Sequence, residues 1–321
     1  SSSSSSFSSS LDARARVSTA RANARETRAP PRARATPYPP PWRPWARASR
    51  ASVIDAFVAF VMATRLRVVR ARLEDVRRVL RLEEGLLRHR ARECWLTMCD
   101  GAREPCVVLG LGSKLGELVR EDEARARDVT LVRRFTGGGT VVCDENTMFV
   151  GMTMDARVMG RLEGGASASA SASASAYPRD VMRATGKVYE RVFDKCGTFA
   201  VRENDYVFGD LKFGGNAQAI TKGRFLHHTS FLYDYDGEFM NALLKHPTRA
   251  PEYRNGRDHE AFVTKLAEAG YERAEVFDRV VRAMEELGFD VEEVGLEHAE
   301  RAVEDAVSES GGKRWDTTKT L

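Results

Sequence analysis

Arg133-Arg134-Phe135-Thr136-Gly137-Gly138-Gly139-Thr140-Val141-Val142-Cys143-Asp144 is the stretch on which the reading of this chain turns. Three consecutive glycines behind a β-like run are costly in a strand, because each loses backbone entropy on folding and packs nothing. They make sense where a ligand needs the backbone to come close, with amide groups free to donate. Two arginines immediately before them put positive charge beside that approach. Taken alone, the segment reads first as a glycine turn next to a surface arginine pair. No Gly-Lys-Ser/Thr closes it, so it is not a Walker loop, and it does not have the spacing of a dinucleotide fingerprint.

A second element downstream changes the balance. Asn204-Asp205-Tyr206-Val207-Phe208 runs into Gly209-Asp210, a tight turn, and then into Leu211-Lys212-Phe213-Gly214-Gly215-Asn216-Ala217. The pattern is a hairpin with Lys212 at the start of its second strand and two glycines just behind. A lysine is a compact point charge on a flexible stem. It suits an anionic centre, such as a carboxylate or an α-phosphate that gains charge in a transition state. Asp205, at the near end of the first strand, is placed to hold a divalent cation against phosphate oxygens, since hard cations choose oxygen ligands. On its own, Lys212 would read as a solvated edge-strand lysine.

Around these motifs the periodicity predicts a helix from Leu73 to His89, with Val76, Val79, Leu80, Leu82, Leu86 and Leu87 on one face. Strands are expected at Glu93–Cys99, Cys106–Leu111, Val129–Arg134, Thr140–Cys143 and Thr147–Met154, with Asp100-Gly101 as a turn between the first two. Asp180 to Lys195 reads as a helix, and Val201–Phe208, Lys212–Thr221 and Thr229–Tyr233 as strands. Helices follow over 258–270 and 275–288. Strands in short-turn pairs, with helices before, within and after, argue for an α+β class with a largely antiparallel or mixed sheet.

Composition sets the boundaries. Residues 1–50 combine a serine run, alternating Ala/Arg and seven of the eleven prolines, too little apolar surface to offset the entropy of ordering. We expect 1–61 to be disordered. An Arg- and Ser-rich, acid-poor segment also resembles an organelle transit peptide. The chain starts with Ser1 and Met62 opens a plausible start, so upstream sequence is an equal reading. The folded core is expected over 62–306, with a flexible Ser/Ala insert at 163–177 and a loose tail at 307–321. Residues 1–61 carry ten arginines against three acids, whereas 62–321 hold 40 basic and 43 acidic residues. The positive charge therefore lies off the folded core, which argues against a nucleic-acid binder. No apolar run reaches the ~20 residues of a membrane span. Five cysteines without a CxxC pair point to reduced thiols.

In this order and spacing the motifs resemble the lipoate–protein ligase family, within the biotin/lipoate ligase (class II synthetase-like) catalytic fold. The residues concerned are Arg133–Gly139, Asn204-Asp205, Lys212–Ala217 and Phe225-Leu226-His227-His228-Thr229-Ser230-Phe231-Leu232, within a likeness spanning roughly Leu73 to Asp236. The fuller wording, with Ala250-Pro251-Glu252-Tyr253-Arg254 and Gly256-Arg257-Asp258-His259, looks closest to a plant and algal subgroup. The resemblance implies that lipoate and ATP give lipoyl-adenylate and pyrophosphate, after which a lysine of an acceptor protein attacks the mixed anhydride. It implies Lys212 at the acyl carbonyl and phosphate. Arg134, Gly137, Gly138, Gly139, Thr140, Gly214, Gly215, Asn216, Ala217 and His228 would line the acyl-adenylate site. Asn204 and Asp205 would position ATP phosphate and Mg²⁺, and Val141, Met148 and Phe149 an apolar slot. The partner would be a lipoyl-acceptor domain or carrier protein, with an accessory subunit possible because only two helices and one strand are expected over 255–305. Neither nucleic acid nor membrane is implied. The setting would be mitochondrial or plastid if 1–61 is a transit peptide, and cytoplasmic otherwise.

The chain departs from the family pattern at Cys143, where a histidine is usual, and at Thr229, where a glycine follows the histidine. These keep a non-catalytic acyl-binding relative in view. An ATP-independent octanoyl or lipoyl transferase would need a nucleophilic cysteine near Lys212, and Cys196 lies several residues too early. Ala250–Arg254 and Gly256–His259 read as a helix N-terminus capped by Asp258, or as a patch that meets the acceptor.

Overall fold

In a computed structural model the described residues are 64–90, 92–164, 176–247, 250–312 and 316–321. The expectations for 1–61 and for nearly all of 163–177 lie outside them. In chain order the strands are β1 (Arg65–Leu73), β2 (Cys94–Ala102), β3 (Cys106–Leu109), β4 (Thr130–Arg133), β5 (Val141–Cys143), β6 (Thr147–Asp155), β7 (Phe199–Arg202), β8 (Asp205–Phe208), β9 (Leu211–Thr221), β10 (Arg224–Leu232), β11 (Asp290–Val294) and β12 (Lys319–Thr320). The longer helices are α1 (Val76–His89), α2 (Pro178–Val192), α3 (Arg273–Glu286) and α4 (Leu296–Glu309).

Eight strands form one sheet in the order β11-β1-β2-β6-β10-β9-β8-β7, and four form a second in the order β12-β4-β3-β5. In the large sheet β1 runs parallel to both β11 and β2, and every later pairing is antiparallel. The mixed α+β class expected from the sequence is what forms. One face of the large sheet packs on α2 and α3 through a single apolar core that includes Tyr189, Phe193, Phe213, Phe231 and Met284. On the other face lies α1, whose Val76, Val79 and Leu80 meet Val108, Val132 and Cys143 of the small sheet and Phe149 of the large one. All six residues assigned to the apolar face of α1 are buried. Each such side chain contributes about 1.5–3 kcal/mol by leaving water, so this helix is the joint that fixes the small sheet over the large one.

Several boundaries differ from expectation for identifiable reasons. The first helix starts at Val76, because Leu73 ends β1 and Asp75 caps the helix through a 2.8 Å bond from Arg77 N to its side chain. β1 itself goes unannounced in the sequence, since its polar/apolar alternation changes phase at Val68-Val69 and leaves two short halves. Asp100-Gly101 is not a turn. β2 continues to Ala102, and Gly101, at φ +68°, is bulged out where the register with β1 slips. Val201–Phe208 is two strands rather than one, turned at Glu203, which takes φ +51°. The helix over 258–270 shrinks to His259–Phe262, because Thr264, Leu266 and Ala267 spend their N–H groups on the carbonyls of Lys212, Leu232 and Tyr233. The tail is not loose where it is described. α4 runs to Glu309, and Lys319–Thr320 pair antiparallel with Arg133 and Val132. The elements of 255–305 add β11 to the large sheet rather than forming a separate domain.

Candidate active site

β4 delivers Arg133 and Arg134 at its C-terminal end, between β12 and β3 of the small sheet, and the triple glycine follows as an exposed loop. The two arginines have different tasks. Arg133 reaches the carbonyls of Gly110 (3.1 Å) and Ser113 (2.7 Å) and ties two loops together. Arg134 is only 4% exposed and donates to the carbonyls of Gly137 (3.1 Å) and Gly139 (2.7 Å). It braces the glycine loop from inside, and burial pulls its guanidinium down to about 10. Gly138 alone of the three needs glycine's freedom, with φ +108°. A side chain there would meet Arg134 Nη2 at 2.8 Å and Asn216 O at 3.1 Å. Gly137 and Gly139 face open space. Arg134 Nε, Thr136 Oγ1 and Thr140 Oγ1, all buried and all flanking this loop, have no hydrogen-bond partner among the described residues. Buried polar atoms are rarely left so.

Lys212 comes to the same place from the other sheet. Its Nζ lies 2.7 Å from Asp205 Oδ1, and it sits over Gly215, where a Cβ would be 3.3 Å from it. The glycine loop touches β9 at Asn216 and Ala217 through Gly138, so the ammonium and the loop converge on one short stretch of strand. Gly214 faces the opposite side, where the rings of Phe231 and Tyr206 leave no room for a side chain. Asn216 holds the hairpin. Its Nδ2 donates to Asn204 O at 2.9 Å, and its Oδ1 accepts from Thr229 Oγ1 at 2.6 Å. The threonine that departs from the family pattern thus carries a bond that glycine could not make.

Asp205 is occupied by donors from the protein. Besides Lys212 it accepts from Tyr253 Oη at 2.8 Å through Oδ2. Among the described residues no group of three or more His, Cys, Asp or Glu is arranged for a metal ion. Each oxygen of Asp205 carries one of these two donors and keeps a second acceptor site, so this carboxylate would contribute a single ligand to Mg²⁺, which binds largely through waters and substrate phosphates.

His227 and His228 point to opposite faces of β10, as neighbours on a strand must. His227 is fully buried on the α2 face, with Nδ1 3.1 Å from Gln218 Nε2 and Nε2 2.9 Å from Tyr206 Oη. Because an amide N–H can only donate, Nδ1 accepts and Nε2 carries the proton to Tyr206. Tyr206 in turn lies 3.0 Å from Thr185 Oγ1, which donates to Val181 O. Burial, with His228 beside it, pushes His227 down to about 3. His228 is on the α1 face, 2.8 Å from Glu83 Oε2. Glu83 is fully buried and also takes Thr97 Oγ1 at 2.7 Å. A Cβ at Gly151 would overlap that carboxylate. Glu83 and Gly151 were missed, although Glu83 falls seven residues after Val76, in the centre of the apolar stripe.

Other expectations part company with the geometry. Val141 and Phe149 share the cluster against α1, but Met148 points into the core on the far face, so the three do not line one slot. Cys143 is fully buried opposite Cys106, whose hydrogen bond and the surrounding burial push its thiol up. Cys196 touches Ala269 O at 3.5 Å rather than Lys212. Gly110, unremarked in the sequence, leaves room for the carbonyl of Gly138. Residues 252–254 form a single turn of 3₁₀ helix, and Asp258 makes no side-chain capping bond to the helix that follows it.

A mixed eight-stranded sheet, with a braced glycine loop meeting a lysine strand, defines a catalytic domain of the lipoate ligase type. Residues 75–286 match the model of the lipoyl protein ligase A/B catalytic domain, and the chain belongs to that family. Over 200 residues it is 25% identical to the inactive lipoate–protein ligase 2 of Plasmodium falciparum (isolate 3D7), a match that covers 52% of this chain and 49% of that protein. The chain therefore spans about half the length of this curated relative. The fold is shared with a bipartite lipoate–protein ligase of Thermoplasma acidophilum, described together with its E2 lipoyl domain as an archaeal lipoylation system (TM-score 0.59, 19% identity, 80% of this chain and 99% of that one). It is shared also with lipoate–protein ligase A bound with ATP (TM-score 0.58, 19% identity, 79% and 97%). Lipoate-bound LipL1 of P. falciparum is a further match (TM-score 0.55, 14% identity, 77% and 69%).

Proposed function

We propose that this chain is an ATP-dependent ligase that joins lipoate or octanoate to a lysine of an acceptor protein. In the first step the acid's carboxylate attacks the α-phosphate of ATP, forming acyl-adenylate and releasing pyrophosphate. In the second, the acceptor's amine attacks the acyl carbonyl and AMP leaves. Both steps build negative charge on oxygens, and the useful contribution of a protein is to hold cationic and N–H donors where that charge appears. The convergence of Lys212 and the Gly137–Gly139 loop on Gly215–Ala217 carries this reading. An ammonium has three hydrogens to donate, and Asp205 takes one of them. The partnerless Arg134 Nε, Thr136 Oγ1 and Thr140 Oγ1 support a polar ligand at the loop. The structural relatives solved with ATP and with lipoate are consistent with these substrates, and the one described together with its E2 lipoyl domain is consistent with such an acceptor. In the same reading residues 1–61 supply an organelle address, which a reporter fusion tests.

The test is lipoate-dependent ATP–pyrophosphate exchange by the purified chain, with octanoate and biotin as alternatives. Exchange with lipoate or octanoate that falls at least 100-fold in Lys212→Ala is expected. A second reading, a non-catalytic acyl-binding relative, is favoured by the curated relative named inactive and by the burial of Cys143. Lipoate binding without exchange would select it. Acyl transfer from a carrier protein without ATP, dependent on Cys196, would displace both.

A further inference from the structure

We infer that Tyr253 is a positioning residue for Lys212, acting through Asp205; this deepens the ligase reading above and rests on it. The segment that carries Tyr253 (Ala250-Pro251-Glu252-Tyr253-Arg254, then Gly256-Arg257-Asp258-His259) is a strap laid across the β8–β9 hairpin. It is fastened at both ends of that hairpin. Glu252 N donates to Glu203 Oε1 at 2.7 Å, by the turn before β8, and Arg257 Nη2 donates to Asp210 O at 3.0 Å, in the turn after it. Thr264 N then donates 2.8 Å to the carbonyl of Lys212 itself. Arg257 also returns to Tyr253 O at 3.0 Å, so the strap is cross-braced where the tyrosine leaves it. The phenol ring is held between Phe262, 5.2 Å away, and the guanidinium of Arg202, 5.9 Å from the ring centre.

The hydroxyl so placed donates to Asp205 Oδ2 at 2.8 Å, while Oδ1 faces Lys212 Nζ at 2.7 Å. Burial and the neighbouring carboxylate push the phenol upward, so the proton stays on tyrosine and the bond keeps its direction. With Oδ2 occupied, the carboxylate cannot rotate to chelate the ammonium or turn toward water. It offers Lys212 one oxygen in one orientation. That restriction matters for a side chain with four rotatable bonds, because a misplacement of about 1 Å in a catalytic group can cost on the order of 100-fold in rate.

Tyr253→Phe keeps the ring and removes only the hydroxyl. We expect kcat for lipoate-dependent exchange to fall about tenfold, with KM for lipoate within twofold of wild type. In an Asp205→Asn background the same substitution should add nothing. A purely structural role for the ring predicts instead that Phe matches wild type, which overturns the assignment. A readout free of catalysis is trace acetylation of the whole chain with acetic anhydride, followed by peptide mass spectrometry. Lys212 in folded Tyr253→Phe should react at least threefold faster than in wild type, with Lys187 and Lys222 unchanged. An unchanged or slower rate refutes the positioning role. If wild type shows no exchange, the ligase reading fails, while the acetylation result still decides for or against Tyr253.

Discussion

Gly151→Ala isolates the buried carboxylate beneath the candidate site. Gly151 lies on β6, opposite His228 on one side and Thr97 on the other. Its backbone is compatible with alanine, because its φ is not in the left-handed region. The space is not. A methyl group there would overlap Glu83 Oε1 and Thr97 Oγ1 and would approach Glu83 Cδ to 2.8 Å. Glu83 would have to swing away, and it is fully buried, with Thr97 (2.7 Å) and His228 (2.8 Å) as its partners among the described residues. Stranding one buried polar group costs about 1–3 kcal/mol, and parting a buried charged group from its partner about 3–5 kcal/mol. We therefore expect a loss of about 3–5 kcal/mol, a large share of the roughly 5–15 kcal/mol that holds a typical domain together. At about 2–3 kcal/mol per M urea, the unfolding midpoint read by circular dichroism should drop by more than about 1 M. The cause is checked by Glu83→Ala/Gly151→Ala. With the carboxylate gone the methyl has room, so the pair should be at least about 2 kcal/mol less damaging than the sum of the single changes. Additivity within about 0.5 kcal/mol, or a midpoint shift below about 0.3 M, refutes the reasoning.

Two further outcomes follow from the same structure. His227 is held neutral near an apparent value of about 3, against 6.5 for a free imidazole; between those values the unfolded chain takes up a proton that the folded one refuses. Its contribution is therefore complete above about pH 6.5 and is lost as pH falls toward 3, at up to about 1.4 kcal/mol per unit. Urea midpoints for wild type and His227→Gln, compared across that range, should show the wild-type advantage at neutral pH shrinking and then reversing as pH falls; a pH-independent difference would contradict this. Thr317 gives Glu84, another fully buried carboxylate, a hydroxyl bond at 2.6 Å and an amide bond at 3.1 Å. Thr317→Val should cost about 1.5–3 kcal/mol and speed amide exchange over Leu131–Arg133, the segment that the tail strand covers; unchanged exchange would show the tail to be irrelevant to β4.

What could be read in advance was whatever short spacing records. The lysine hairpin shows in Asn204–Ala217 because both of its turns are local: Gly209 takes φ +60°, as its place in a two-residue turn demands. The apolar face of α1 shows because a 3.6-residue period is a local fact. By contrast, β1 pairs with β11 across more than two hundred residues, and its alternation of Arg65 and Arg67 with Leu66 and Val68 changes phase at Val69 before Arg70 and Arg72, so neither half is long enough to mark a strand. Arg65, Arg67 and Arg70 are answered by acids from distant elements, Glu93, Asp278, Asp290, Glu292 and Glu293, which no window of sequence brings together.

The same distinction runs through the site. Spacing placed Arg134 and the glycines side by side but could not say which way the guanidinium turns. It turns inward, because the loop's own carbonyls at Gly137 and Gly139 lie within reach and β4 buries the stem. Arg134 therefore shapes the ligand's surroundings more than it supplies their charge, and Lys212 is the cation that reaches the stretch of β9 the loop approaches. A lysine with that duty must be accurately aimed, which is what an acidic partner and a tyrosine on the far side of that partner accomplish. The motif that seemed peripheral in the sequence, at 250–259, then has a reason to lie where it does. It closes the hairpin that carries the amine, and fixes by two hydrogen bonds what a flexible four-carbon stem would otherwise leave free.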